Sequence, residues 1–208
     1  MTKSSFSLFE LILIIILISI IAVFIKIKEP INKLDLATNR LALYLKEVRY
    51  KALIDDKYNK NNPLWHKQRW TLKFFRCSSS VGGIYYSIYS DENKTGHPSA
   101  DESLKDPLTK KAIFSTNKCE SNNKYSKYVL LSKEYGIKNI EMSCNTTSSL
   151  GQLSFGIDGR VYTKLSPYDE EHYTYELTNS CKIKLLDENK KTKIIEIIPK
   201  TGYVRVIN

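Results

Sequence analysis

The stretch Phe6-Ser-Leu-Phe-Glu10-Leu-Ile-Leu-Ile-Ile15-Ile-Leu-Ile-Ser-Ile20-Ile-Ala-Val-Phe-Ile25 decides how the rest of the chain is read. It holds 20 residues, and beyond Glu10 only Ser19 interrupts its apolar run. At about 1.5 Å per residue, a helix of this length measures roughly 30 Å, one hydrocarbon thickness. Glu10 breaks the pattern near the amino-terminal end. A carboxylate at that shallow depth costs on the order of 1–3 kcal/mol, so its presence calls for a function.

Working outward, Pro30 follows the run and kinks a helix without having to end it. Leu34, Ala37, Leu41, Leu45, Val48 and Ala52 then recur at steps of three and four, the apolar stripe of an amphipathic helix. The breaker Asn59-Lys-Asn-Asn-Pro63 stops it after Tyr58. The divisions expected are a leader at 1–5, a transmembrane helix at 6–28, its amphipathic continuation at 29–58 and a β-rich domain at 59–208.

The last part alternates like short strands: Trp70–Phe75, Ile84–Tyr89, Tyr128–Leu131, Ile137–Met142, Leu153–Ile157, Arg160–Thr163, Tyr173–Leu177, Cys181–Leu186, Lys193–Ile198 and Tyr203–Ile207. Asp158-Gly159, Asp187–Lys191 and Lys200-Thr-Gly202 supply turns. The expected fold class is α+β, one long helix packed on an antiparallel sheet.

Lys3, Ser5, Phe6, Glu10 and the apolar run together resemble the amino terminus of type IV pilins and pseudopilins. Leu153-Ser-Phe155-Gly-Ile-Asp-Gly159-Arg-Val161 and the ending Ile194-Ile-Glu-Ile-Ile198 with Thr201-Gly-Tyr203 resemble minor pseudopilins of the GspH/FimT type. The resemblance implies cleavage by a prepilin peptidase between Ser5 and Phe6 and N-methylation of Phe6. It implies assembly with other pseudopilins through the helix, with Glu10 neutralised by a neighbour's amino terminus. Ser5 departs from the Gly that the family prefers before the cut. The function implied is a fibre subunit, for DNA uptake in natural transformation or for type II protein secretion. A membrane-anchored periplasmic binding protein or enzyme that does not polymerise is the rival of another class.

Topology signals conflict. Lys26, Lys28 and Lys33 follow the apolar run and only Lys3 precedes it, which by the positive-inside rule alone puts the large part in the cytoplasm. The resemblance instead implies a single inner-membrane pass with the carboxy-terminal domain in the periplasm. The four cysteines, Cys77, Cys119, Cys144 and Cys181, agree with that oxidising compartment, being even in number and without metal-ligand spacing. Three pairings are open, and the order of appearance, Cys77 with Cys119 and Cys144 with Cys181, is preferred.

The chain carries a net charge of +10. Arg160, Lys164, Lys182, Lys184, Lys190, Lys191, Lys193, Lys200 and Arg205 are candidate contacts to DNA phosphates, or a merely soluble basic surface. Asp91, Asn93, Thr95, His97 and Glu102 follow the ligand spacing of a calcium loop with Gly96 at its turn, so calcium is the one candidate cofactor. Asp91-Glu-Asn93-Lys-Thr95 also resembles the extended acceptor of bacterial N-glycosylation at Asn93, and an acidic solvated loop is the third reading. No P-loop, G-x-S-x-G or H-E-x-x-H occurs, and His66, His97 and His172 are scattered, so no catalytic residue is assigned and an enzyme is not expected.

Overall fold

The computed structural model describes residues 7–24 and 32–207. The expected cut between Ser5 and Phe6, the methylated Phe6 and the kink at Pro30 lie outside these residues. The described chain forms two units, divided at Asn32–Lys33.

Among the described residues the first unit holds one helix, α1 (Leu8–Phe24), 17 residues long and so about 25 Å. Its side chains from 7 to 21 are all exposed. Among the described residues no helix is long and apolar enough to cross a membrane. The span expected from 6 to 28 is thus described only in its middle part.

The second unit opens with α2 (Lys33–Ile54), which buries Leu34, Ala37, Leu41, Leu45, Val48 and Ala52 on one stripe. It ends four residues before the expected Tyr58. There the Asp56 carboxylate takes the Tyr58 amide at 2.8 Å, and the Trp70 indole donates to Asp55 at 2.7 Å. These side-chain bonds offer the backbone an alternative to another helical turn.

The strands are β1 (Trp70–Arg76), β2 (Ile84–Ser90), β3 (Ile137–Met142), β4 (Gln152–Phe155), β5 (Val161–Tyr162), β6 (Cys181–Asp187), β7 (Thr192–Ile197) and β8 (Val204–Ile207). They form two four-stranded antiparallel sheets where one was expected, in the orders β2-β1-β4-β5 and β3-β6-β7-β8. Helix α2 packs on β1 and β4 of the first sheet and on β6, β7 and β8 of the second. Its stripe is therefore the shared core of both, with Leu72, Phe74, Leu153, Ile183 and Ile195.

Two expected strands are absent. Tyr128–Leu131 instead enters a 3-10 turn at Lys127–Val129 and a short helix, α3 (Leu131–Tyr135). Leu131 and Tyr135, one turn apart, are both buried, and Gly136 closes the helix at φ 71°. Tyr173–Leu177 makes one isolated bridge, Tyr162 to Glu176, because the Glu176 amide folds back to the Tyr173 carbonyl at 3.1 Å.

All of β2 is buried. The segment after residue 101 covers its free edge, with Ser90 N–H bonded to Glu102, Leu104 N–H to Ile88, and Ile88 N–H to Ile113 carbonyls. An edge covered in this way no longer offers a template for foreign strands. The disulfides Cys77–Cys119 and Cys144–Cys181 follow the order of appearance. The first ties the end of β1 to the turn at 116–119, and the second ties the chain after β3 to the start of β6.

Candidate functional site

Glu10 stands in the first turn of α1. Its carboxylate accepts the Ser7 amide at 2.9 Å, and the Ser7 hydroxyl accepts the Glu10 amide at 3.3 Å. This is a capping box, two otherwise orphaned amides satisfied reciprocally. The helix dipole also favours a negative charge there. Glu10 therefore has a local role that the sequence reading missed, although the Ser-x-x-Glu spacing ahead of an apolar run signals it.

The Asp91–Glu102 loop forms, but its carboxylates turn inward onto amides. Asp91 accepts the Thr95 and Gly96 amides at 3.1 and 2.8 Å. Glu102 accepts the Asn93 and Ser99 amides and the Ser99 hydroxyl. Burial raises the Glu102 pKa, and these hydrogen bonds outweigh it and hold the carboxyl below its usual range. His97 bonds only within the loop, to Thr95. Among the described residues no three His, Cys, Asp or Glu side chains gather as a metal site. Asn93 is exposed, and its side-chain oxygen takes the Thr95 amide at 3.0 Å.

The basic candidates do not form one patch. Arg160 pairs with Asp158 and Glu176, Lys184 with Glu141, Lys193 with Asp35, and Arg205 with Glu196. The Arg205 hydrogen bond holds the Glu196 carboxyl below its usual range. Lys190 and Lys191 sit on the β6–β7 turn and Lys200 on the β7–β8 turn, at opposite ends of an antiparallel sheet. Lys182 faces Glu196 across the β6–β7 ladder, and Lys164 lies 5.1 Å from the Tyr175 ring.

Sequence reasoning overlooked a buried cation. Arg69 is 4% exposed, with its guanidinium 3.8 Å over the Tyr162 ring and 5.0 Å from the Trp65 ring. It donates to the His172 carbonyl at 2.7 Å, and its Nε has no partner. Burial pulls the Arg69 pKa down, opposed by Tyr162, Asp158 and other nearby groups, and burial pushes the Tyr162 phenol up to about 12. The cleft beside it, of about 40 Å³ and lined by Trp65, Trp70, Asp55 and Asp158, holds no more than a few waters. Cation and rings together staple the 162–173 segment to the start of β1. No sequence signal pointed to Arg69, because Tyr162 and Tyr173 are remote in the chain and Trp65, four residues before it, does not by itself mark a buried cation.

The outer face of α2 has a different character. Leu36, Leu43 and Tyr50, seven residues apart, are exposed, and with the Pro107-Leu108 turn they line an open groove of about 700 Å³. The Tyr44 hydroxyl donates to Asp106, which also receives the Leu108 and Thr109 amides. That cluster holds Leu108 out at 87% exposure.

Compared with known proteins, the chain matches no protein family, no curated protein and no solved structure.

Proposed function

We propose that this chain is a subunit of a type IV pilus-like fibre, of minor pseudopilin type. The amino-terminal helix anchors it in the inner membrane and the disulfide-linked domain lies in the periplasm. A prepilin peptidase frees Phe6, and the new ammonium group on one copy pairs with Glu10 of the next. The observation that carries the reading is Glu10 at the start of an apolar helix whose side chains from 7 to 21 are all exposed. Such a helix needs lipid or other helices around it. Two disulfides suit an oxidising compartment.

Within this class, a type II secretion role is the second reading for the fibre's cargo. It is favoured by the ion pairs that neutralise Arg160, Lys184, Lys193 and Arg205. DNA uptake rests on the net charge of +10 and on the remaining lysines. A gel shift with duplex DNA at rising salt separates the two, because phosphate contacts weaken steeply with salt.

Gln replaces Glu in a capping box but cannot pair as an anion. Glu10→Gln therefore keeps helix and membrane insertion and loses assembly, whereas Glu10→Ala loses the cap as well. Assembly of Glu10→Gln at the wild-type level would reject charge pairing and favour an anchored protein that does not polymerise.

A further inference from the structure

A second groove, of about 610 Å³, opens beside the Cys77–Cys119 disulfide. Its apolar lining is Val81, Ile84 and Leu130, with Val81 55% exposed. Lys118, Lys133 and Lys138 stand around it, all exposed, against one lining acid, Glu120. Among the described residues, every ion pair lies elsewhere, so none of the three ammonium groups is in an ion pair there.

A complementary surface sits at the other end of β1. Tyr168, Asp169 and Glu170 are exposed, Tyr168 at 65%, and among the described residues neither acid is in an ion pair. The turn is braced from within: Ser166 Oγ donates to Glu171 at 2.6 Å and receives the Tyr168 amide at 3.2 Å. It is also held at both ends, by His66 on the Ser166 carbonyl and Arg69 on the His172 carbonyl. Arg69 directly precedes β1 and Cys77 directly follows it. Arg69 and Cys77 are thus roughly 26 Å apart along the strand, with the acidic turn held at one end and the lysine groove at the other.

We infer that the lysine groove receives the Tyr168–Glu170 turn of a second copy of this chain. Asp169 and Glu170 meet the lysines, and the Tyr168 ring covers Val81. Two different patches that meet once per pair of copies join them head to tail, the interface type that yields an open filament where the rotation between copies does not close. A preorganised turn docks at little entropic cost, and the charge pairing fixes its register. The inference rests on the fibre reading only in expecting copies to meet in a row.

The test is zero-length carbodiimide cross-linking of the full chain in membranes, at low salt, with the linked peptides identified by mass spectrometry. Links are expected between Asp169 or Glu170 and the three lysines. The pair Lys133→Glu and Lys138→Glu should lower cross-linked dimer at least about 5-fold, as should Asp169→Lys with Glu170→Lys. Combining all four should restore it to within about twofold, because the charges are exchanged rather than lost. All four positions are exposed, and unchanged urea midpoints check that the variants fold. Unchanged dimer in either charge reversal, or no recovery in the combination, overturns the docking. Dimer lost in Glu10→Gln but kept in the reversals leaves the fibre reading standing and rejects the docking; the opposite pattern does the reverse. Reversals that weaken binding of duplex DNA while leaving dimer intact assign the groove to a polyanion and also overturn it.

Discussion

The carbonyl oxygen of Gly159 lies 2.9 Å from where a Cβ on Gly202 would stand. Gly202 has φ 62°, and the Phe155 ring is 3.2 Å from the same point. Gly159 belongs to the β4–β5 turn and Gly202 to the β7–β8 turn, so a glycine contact joins the two sheets. Gly202→Ala adds left-handed strain of about 1–2 kcal/mol to a collision with backbone that cannot swing aside. A loss of about 2–4 kcal/mol in urea unfolding is expected. Gly82→Ala is the control: φ is 68° there but nothing lies within 4 Å, so the strain stands alone. Equal losses in the two variants would show that the sheet contact has no weight.

Asp106 is 1% exposed and depends on Tyr44 for one of its oxygens. Burial raises its pKa, but the Tyr44 hydroxyl and the Thr109 and Leu108 amides outweigh burial and hold it below the usual range. Tyr44→Phe leaves that oxygen buried and unpaired. A loss of about 1.5–3 kcal/mol is expected, with the acid-unfolding transition moved to higher pH. Urea titrations at pH 7 and pH 4 measure both. A loss below about 0.5 kcal/mol would mean that the 106–109 turn keeps its shape without α2.

The stripe Leu34 to Ala52 was legible because its period is local, and each of its residues is buried. The hairpins β6–β7–β8 were legible for the same reason, since alternation and turn residues are neighbours in sequence. The 102–126 region was not. It makes only isolated bridges, and its order comes from remote contacts: Tyr44 to Asp106, Cys77 to Cys119, Ile88 to Ile113. The basic carboxy-terminal face misled because alternation tells which lysines face solvent but not which acids face them. Glu141 meets Lys184 from another strand and Asp35 meets Lys193 from a helix. Arg69 was invisible for the opposite reason, as a charged residue buried by rings from another sheet strand and loop.

The two disulfides should carry much of the domain's stability. They close loops of 42 and 37 residues in separation, worth about 4 kcal/mol each in the chain-entropy account. The pair Cys144→Ser with Cys181→Ser should be the worse tolerated, since Cys181 is fully buried at the start of β6. Urea midpoints of each double variant, with and without reductant, measure this. A midpoint unmoved by reductant in the wild type would mean that neither bridge constrains the unfolded chain.

His66 is fully buried, its Nε2 is 3.0 Å from the Ser166 carbonyl, and its Nδ1 has no partner. The carbonyl selects the tautomer with the proton on Nε2. Burial lowers the pKa of the ring, the charges of His172, Arg69 and Lys67 lower it further, and the Ser166 bond opposes them. The unfolded chain therefore binds this proton more readily than the folded one. Stability from His66 is fully present above the unfolded value of about 6.5, falls as pH drops below it, and levels off once pH is below the folded value. Asp55, Glu102 and Asp106, held below their usual range, come into play only at lower pH. Between pH 7.5 and 5 these carboxylates add little slope, whereas Glu47, raised by burial, adds one of opposite sign toward the acid end, so the ring is reported by the difference between wild type and variant. His66→Gln keeps a donor toward Ser166 without a titrating group, so its urea midpoint should vary less over that interval than the wild type. Curves of equal slope would show that His66 takes its proton in the folded state without penalty.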